Sequence, residues 1–413
     1  MTRYTLFACT VLLIAVSSFA ADWGQWRGPD HTGISGETGL LPKWADGGPK
    51  LLWKVQDLGA GYSNLAFSGG KIFSQGDFDG ESVLYALDEK TGKELWSLAV
   101  GEAGGGGGYQ GPRSTPATDG KLVFAMGQFG EFVCADVNGE PLWKVNTQKK
   151  YGTRVMSMWS FAMSPIIEDS LVIIPFGGKD GTVAAFEKNG KEAKLVWQST
   201  EIKEPAAYTS VVPLTFGGIR QCLVFTEKVV AGLDVKTGKV LWQADCPGRT
   251  AICSDPAYDI DGDVLYLIAS SAYGTGARGF KVSAANGTFK AEQIYEDKTL
   301  QSHHGGIVQV GGYFYLLTQR ELVCVEPKSG EVKWKDRSVG KGSVMSADGK
   351  LILRSESGDG VVALVDPSPD GYKEISRFSQ PDRSGKNSWT YPTVYDGKLY
   401  IRDQGLLLCY EIK

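Results

Sequence analysis

The stretch GLDVKTGKVLW, Gly232–Trp242, decides the fold. Alternating apolar residues up to Asp234 read as a β-strand, and Thr237-Gly238 reads as a tight turn. A second strand then carries Trp242. The same frame returns as ALDEKTGKELW (Ala86–Trp96), CADVNGEPLW (Cys134–Trp143), AFEKNGKEAKLVW (Ala185–Trp197) and CVEPKSGEVKW (Cys324–Trp334). Weaker copies are VSAANGTFKAEQIY (Val282–Tyr295) and LVDPSPDGYKEISRF (Leu364–Phe378). Trp53, Trp96, Trp143, Trp197 and Trp242 recur at intervals of about 40–55 residues, the length of a four-stranded repeat unit.

The first hairpin of each unit is equally legible. TPATDGKLVF (Thr115–Phe124), MSADGKLIL (Met345–Leu353) and TVYDGKLYI (Thr393–Ile401) place Asp-Gly between two half-buried strands, which suits a two-residue hairpin with positive φ. No sustained helical period interrupts the pattern. Such units around a ring make an all-β propeller. Third and fourth strands can be counted for seven blades after Tyr62. The chain then ends on only three strands, and PKLLWKV (Pro49–Val55), with Trp53 in the outer-strand position, supplies the missing one. The expected architecture is an eight-bladed β-propeller whose last blade is closed by an N-terminal strand, which leaves no open sheet edge in the ring. One domain spans 49–413, and 21–48 forms an extension packed against it.

The motif D-x-x-T-G-K-x-L-W, whole at Asp234–Trp242 and nearly whole at Asp88–Trp96, resembles the pyrroloquinoline-quinone (PQQ)-like propeller repeat. DWGQWRGPDHTGIS (Asp22–Ser35), GPRSTP (Gly111–Pro116) and YGTG (Tyr273–Gly276) are similar to a bacterial exported PQQ-like propeller family. The resemblance implies the propeller fold over nearly the whole mature chain. It spans quinoprotein alcohol dehydrogenases, which use PQQ with calcium, and non-catalytic propellers such as an outer-membrane assembly scaffold. The dehydrogenases' adjacent Cys-Cys pair is absent, and their calcium-ligand and catalytic-aspartate motifs have no residue-by-residue match. The expected function is therefore a non-catalytic binding or scaffold module with no cofactor, the dehydrogenase and the assembly scaffold being the alternatives.

The first residues read as a secretory signal. Arg3 precedes the apolar run Leu6–Val16, which is too short to span a bilayer. Ser18-Phe19-Ala20 offers a cleavage site after Ala20. The mature protein is expected to be exported, soluble and monomeric. A net charge of −4 gives nucleic acid nothing to bind.

Several motifs reduce to structure. DIDGD (Asp259–Asp263) falls on the Asp-Gly hairpin frame and lacks the rest of a calcium loop. GEAGGGGGY (Gly101–Tyr109) lacks the lysine of a phosphate loop and reads as a flexible inter-blade connection. Cys134, Cys324 and Cys409 share one repeat position with Ala86, Ala185 and Gly232, so they read as small buried hydrophobes. Cys246 and Cys253 flank PGRTAI between two blades, and export would permit a disulfide there.

One constellation survives. The segments leading into the innermost strand of each blade converge on one mouth of the central channel. Reading those positions gives Tyr62, Arg113, Trp159, Tyr208, Cys253 with Asp255, His303 with His304, and Trp389 with Tyr391. Aromatic walls with a few polar groups form the default binding site. Tyr62, Arg113, Trp159, Tyr208, Asp255, His303, His304 and Trp389 are the ligand-binding candidates. No metal site is expected: adjacent strand residues face opposite ways, so one imidazole alone should look into the funnel. Asp255 is the candidate to orient it.

Overall fold

A computed structural model describes residues 22–413. The signal segment 1–20 and its cleavage after Ala20 lie outside the described residues.

The chain forms eight antiparallel sheets arranged as a propeller. Blade 1 comprises Ala66–Ser68, Lys71–Phe78, Glu81–Asp88 and Glu94–Glu102, from the channel outward. Blades 2 to 6 repeat this order, with innermost strands at Ala117–Thr118, Ile166–Glu168, Val212–Phe216, Ala257–Asp261 and Ser302–Val310. Blade 7 begins at Gly342–Ala347 and gains a fifth, parallel strand, Ile34–Ser35. Blade 8 consists of Thr393–Tyr395, Lys398–Asp403 and Leu406–Glu411, with Lys50–Val55 antiparallel to the last. The one α-helix among the described residues is Thr147–Tyr151. No helix there is long and apolar enough to cross a membrane.

The core is a ring of clusters between blades. Phe73, Leu84 and Ala86 of blade 1 meet Val123, Ala125 and Val133 of blade 2. Phe124 and Phe132 turn the other way, toward Val172 and Phe186 of blade 3. The second strand, Leu122–Met126, is thus buried on both faces from Val123 onward. Alternation in these strands separates two neighbours rather than core from solvent, so they are fuller than the half-buried strands read from the sequence.

The repeat motif is an inter-blade lock. Trp197 on the outer strand of blade 3 lies over Gly238 in the turn of blade 4, where an added Cβ would stand 2.3 Å from the indole. Its Nε1 donates to Val235 O at 3.0 Å. Trp96 does the same to Gly139 and Val137 O, and Tyr295 covers Gly330. Trp53 of blade 8 covers Gly92 of blade 1. These turn glycines have φ between 71° and 94°, so both backbone and space require glycine. The small repeat position also finds its reason. Ala86, Cys134, Ala185, Gly232, Cys324 and Cys409 stand opposite Trp96, Trp143, Trp197, Trp242, Trp334 and Trp53, next to a register shift.

The N-terminal segment closes one end of the channel. It meets the far ends of successive innermost strands: Phe67 N donates to Trp23 O, Thr118 N to Gly24 O, Ile167 N to Gln25 Oε1 and Ser346 N to Gly33 O. The Arg27 guanidinium donates to Ile307 O, and His31 is 1% exposed. The channel is therefore a funnel with a floor.

Candidate functional site

The open mouth lies where the innermost strands begin. Those lead-in segments are tied side by side. Asn64 N donates to Thr115 Oγ1, Thr115 N to Ser164 Oγ, Ser164 N to Ser210 Oγ and Ser210 N to Asp255 Oδ1, at 2.8–3.1 Å. Each blade thus anchors its amide on the next blade's side chain. This relay holds blades 1 to 5 at fixed spacing around the mouth.

The cavity has a volume of about 210 Å³ and opens to solvent at its mouth. Tyr62, Arg113, Trp159, Tyr208, Asp255, His303, His304 and Trp389 all line it. Along one wall the rings form a continuous stack. His303 lies on His304 (centroids 3.7 Å apart), His304 on Trp389 (4.3 Å) and Trp389 on Tyr62 (4.2 Å). The Arg113 guanidinium ends the column 5.5 Å from the Tyr62 ring. At the His303 end, Tyr273 meets that ring edge-on and faces Trp159, which in turn meets Tyr208 edge-on. Trp26 forms the floor, its Nε1 donating to Asp255 Oδ2 at 2.6 Å.

Both histidines face the cavity, contrary to the expectation that one would. The pairing of Ser302–Val310 with its neighbour breaks between Ser302↔Thr318 and Ile307↔Leu316. The residues between bulge out of the ladder, so the two-residue alternation fails there. Gly306 makes the bulge at φ 71°, and a Cβ on it would meet the Tyr391 hydroxyl at 2.5 Å. Gly305 passes equally close to Leu317 O.

Asp255 does not orient an imidazole. Its carboxylate is spent on Trp26 and Ser210, and burial pushes its pKa up against the pull of Arg27 and those hydrogen bonds. The carboxylate near the histidines is Glu356, 4.0 Å from His304 Nδ1 and 2.7 Å from Lys341 Nζ.

Cys246 and Cys253 are both free thiols, so the disulfide expectation is corrected. Cys246 is buried among the side chains of blades 4 and 5, while Cys253 opens on the funnel. There its Sγ, His303 and His304 place one donor atom each within 4.8 Å of one another. The expectation of no metal site rested on an isolated imidazole in the funnel, and that premise fails.

Electrostatics follow from burial. Desolvation brings the His303 pKa down to about 3 and the His304 pKa well below its ordinary value, with Lys341 adding to both and Arg113 to His304. Both imidazoles are neutral at pH 7. Desolvation raises the Cys253 thiol and the Tyr208 phenol each to about 12. Arg113 donates to the carbonyls of Gly111 and Tyr109 and forms no ion pair, Asp77 answering its charge only at longer range.

Sequence reading missed Trp26, Tyr109, Tyr273, Lys341 and Glu356. Lys341 was within reach: it directly precedes the innermost strand of blade 7, the one blade whose lead-in yielded no candidate. Tyr109 was hidden by the glycine-rich connection, which is no slack linker. Gly106 and Gly107 press against Met158 and Trp159 so closely that a Cβ on either would collide. That contact delivers Tyr109 to within 4.8 Å of Trp389. Nothing in the repeat marks Trp26 or Glu356.

The family described as outer membrane protein assembly factor BamB matches residues 80–336, more than half of the chain. The chain belongs to this family. A BamB family relative, the outer membrane protein assembly factor BamB of Yersinia pestis, is 24% identical over 325 residues, covering 75% of this chain and 76% of its own. The tetrathionate hydrolase of Acidithiobacillus ferrooxidans is 25% identical over 305 residues, 67% of this chain, which spans only 53% of that enzyme. Among solved structures, a quinohemoprotein alcohol dehydrogenase from Pseudomonas putida HK5 superposes with a TM-score of 0.68, at 13% identity, over 95% of this chain and 80% of its own. That likeness concerns the fold alone. The PQQ-like resemblance of the repeat thus holds at the level of the propeller, across relatives with unlike activities.

The funnel does not suit calcium-bound PQQ. Calcium takes six to eight oxygen ligands, several of them carboxylate. The two funnel carboxylates are already engaged, Asp255 by Trp26 and Ser210 and Glu356 by Lys341. The donors that do converge are sulfur and imidazole nitrogen.

Proposed function

We propose that this is an exported, non-catalytic binding propeller that takes a small, planar, anionic organic molecule into its funnel. The observation that carries the reading is the column His303–His304–Trp389–Tyr62, capped by Arg113. A flat ring stacks on such a wall, and a carboxylate on it answers the one funnel guanidinium without an ionic partner. Desolvation of Arg113 strengthens that attraction. Aromatic carboxylates and carboxylated quinones are the fitting class.

The test is fluorescence and calorimetric titration with a panel of aromatic mono- and dicarboxylates and PQQ, each with and without calcium. Trp26, Trp159 and Trp389 report from inside the cavity. Binding that falls at least ~10-fold in Arg113→Gln, the scale of a lost charged hydrogen bond, supports the reading. A panel that leaves fluorescence and heat unchanged, or binding indifferent to Arg113→Gln, refutes it.

A second reading is a protein scaffold, as the name of the Yersinia pestis relative suggests. It is favoured by an apolar arc on the outer edge. Leu51 and Leu52 of blade 8, Leu95 of blade 1, Leu142 of blade 2 and Val196 of blade 3 are 37–49% exposed on consecutive blades. Blades 6 and 7 carry Lys333 and Arg377 on theirs. Pull-down of a partner that Leu95→Glu with Leu142→Glu abolishes would support the arc, and a partner retained by that variant would remove it.

A further inference from the structure

We propose that Cys253, His303 and His304 form a transition-metal site of the zinc or copper(I) class in the wall of the funnel. The inference goes beyond ligand binding in the funnel and does not depend on it. Three side chains from two neighbouring blades bring one sulfur and two nitrogen donors within 4.8 Å of one another. Ligands at about 2.0–2.3 Å from a common ion stand 3–4 Å apart, so closing the set requires the His303 ring to turn out of its stacked contact with His304 until both in-plane lone pairs meet the ion.

The local backbone is built for this convergence. The three-residue excess between Ser302 and Ile307 turns both imidazoles to one side, which a regular strand cannot do. Gly305 and Gly306 allow the bulge to press against Leu317 and Tyr391. Cys253 reaches the same point from blade 5, on the segment whose Ile252 O accepts from Tyr208 N at 2.9 Å.

The surroundings fit an open, three-ligand site. Tyr273 Oη lies 3.3 Å from His303 Nε2 and can orient that ring through its other nitrogen. His304 Nδ1 is buried without a hydrogen-bond partner, an expensive state for an imidazole nitrogen unless something else takes its lone pair or proton. The Glu356 carboxylate 4.0 Å from it partly offsets the Lys341 charge, which would otherwise oppose a cation. The fourth position faces the cavity and is open to water or to a ligand in the funnel.

Ligand chemistry selects the ion. One thiolate with two neutral imidazoles suits borderline and soft ions, while magnesium and calcium prefer oxygen. Binding takes the proton from the Cys253 thiol into solvent, leaving the thiolate on the metal, so one proton is released per ion bound.

The experiment uses the full mature chain, stripped with chelator and dialysed against Zn²⁺. Elemental analysis is expected to give about one zinc per chain. Titration with Co²⁺ is expected to produce a thiolate-to-cobalt charge-transfer band. Cys253→Ser should abolish that band, and His303→Asn or His304→Asn should weaken Zn²⁺ binding by more than about 100-fold, beyond what outer-shell changes do. Unfolding midpoints of the metal-free variants establish that they fold. A measurement on the unaltered protein stands whether they do or not: Zn²⁺ should protect Cys253 from alkylation, read by peptide mass spectrometry. No retained metal together with unprotected Cys253, or undiminished Zn²⁺ binding in Cys253→Ser, overturns the site. Aromatic-carboxylate binding by the metal-free protein is scored separately through Arg113→Gln, so either reading can fail without the other.

Discussion

Gly238→Ala tests whether the repeat motif is a lock between blades or only a turn. Two costs are separable. Gly238 sits at φ 71°, where an L-residue loses roughly 1–2 kcal/mol. Its new Cβ would also stand 2.3 Å from Cε3 of Trp197, and overpacking of that kind costs about 1–3 kcal/mol. The expected loss is about 2–5 kcal/mol. Gly287 is the internal control. It lies in the turn between the third and fourth strands of blade 5 at φ 75°, but no atom lies within 4 Å of where its Cβ would be. Gly287→Ala should lose only the backbone part, about 1–2 kcal/mol. Urea unfolding at constant m-value reads both. The cycle is completed by Trp197→Ala: in that background Gly238→Ala should cost no more than Gly287→Ala, because the colliding ring is gone. Equal costs for the two glycines in the unaltered chain would refute the lock. So would an excess at Gly238 that survives removal of Trp197.

Two further variants probe buried charge. Asp403 is fully buried; burial pushes its pKa up, but Arg354, Ser384 and Arg383 outweigh this and hold it below the usual carboxylate range. Its contribution is present above pH ~4, the unfolded carboxyl value, and is lost as pH falls through the lower folded value. Asp403→Asn should cost about 3–5 kcal/mol at pH 7 and flatten the acid limb of a stability–pH curve; an unchanged acid limb argues against the pairing. His31 carries the opposite proton linkage to a paired histidine. Burial first, then Arg27 and Arg220, lower its pKa to about 3, while the unfolded chain takes the proton from about pH 6.5. Stability is full above pH ~6.5 and falls between there and 3, by about 2 kcal/mol at pH 5. Asn tolerates the φ of 55° at this position, so His31→Asn should shrink the loss between pH 7.5 and 5 by that amount, and an unaltered slope would exclude His31 as its source.

The propeller was legible because its repeat is a physical contact written in consecutive residues. Where the contact is made, the turn glycine and the outer aromatic are needed together, so they recur at the blade period; the turns at Gly190, Gly287 and Gly371 keep the frame without the contact. Blades with weaker copies show the same lock with other aromatics: Tyr295 covers Gly330, and Phe378 covers Gly48. What the pattern could not reveal lies off the period. The N-terminal segment that floors the channel touches blades 1, 2 and 7 through backbone atoms, which leave no trace in residue type, and blade 3 through the Gln25 side chain, which no repeat position marks. The bulge at His303–Gly306 was invisible because a strand pattern assumes unbroken alternation.

The funnel divides along the same line. Register alone found which residues meet at the mouth, because the ring makes each lead-in the neighbour of the next. It could not say which side chains the frame itself consumes. Asp255 and Cys253 lie two residues apart on one lead-in, yet Asp255 closes the amide relay from Ser210 and ties down Trp26, while Cys253 is left facing the histidines. The difference is one of position in the relay. Thr115, Ser164, Ser210 and Asp255 share the position that accepts the previous blade's amide, so each is bound to be polar for structural reasons. Residues set off from it are free to vary, and there the funnel holds Arg113, Trp159, Tyr208 and Cys253. Chemistry in this funnel is therefore to be sought two or more residues ahead of the relay position, and across the boundary of adjacent blades, where Cys253 of blade 5 meets His303 and His304 of blade 6.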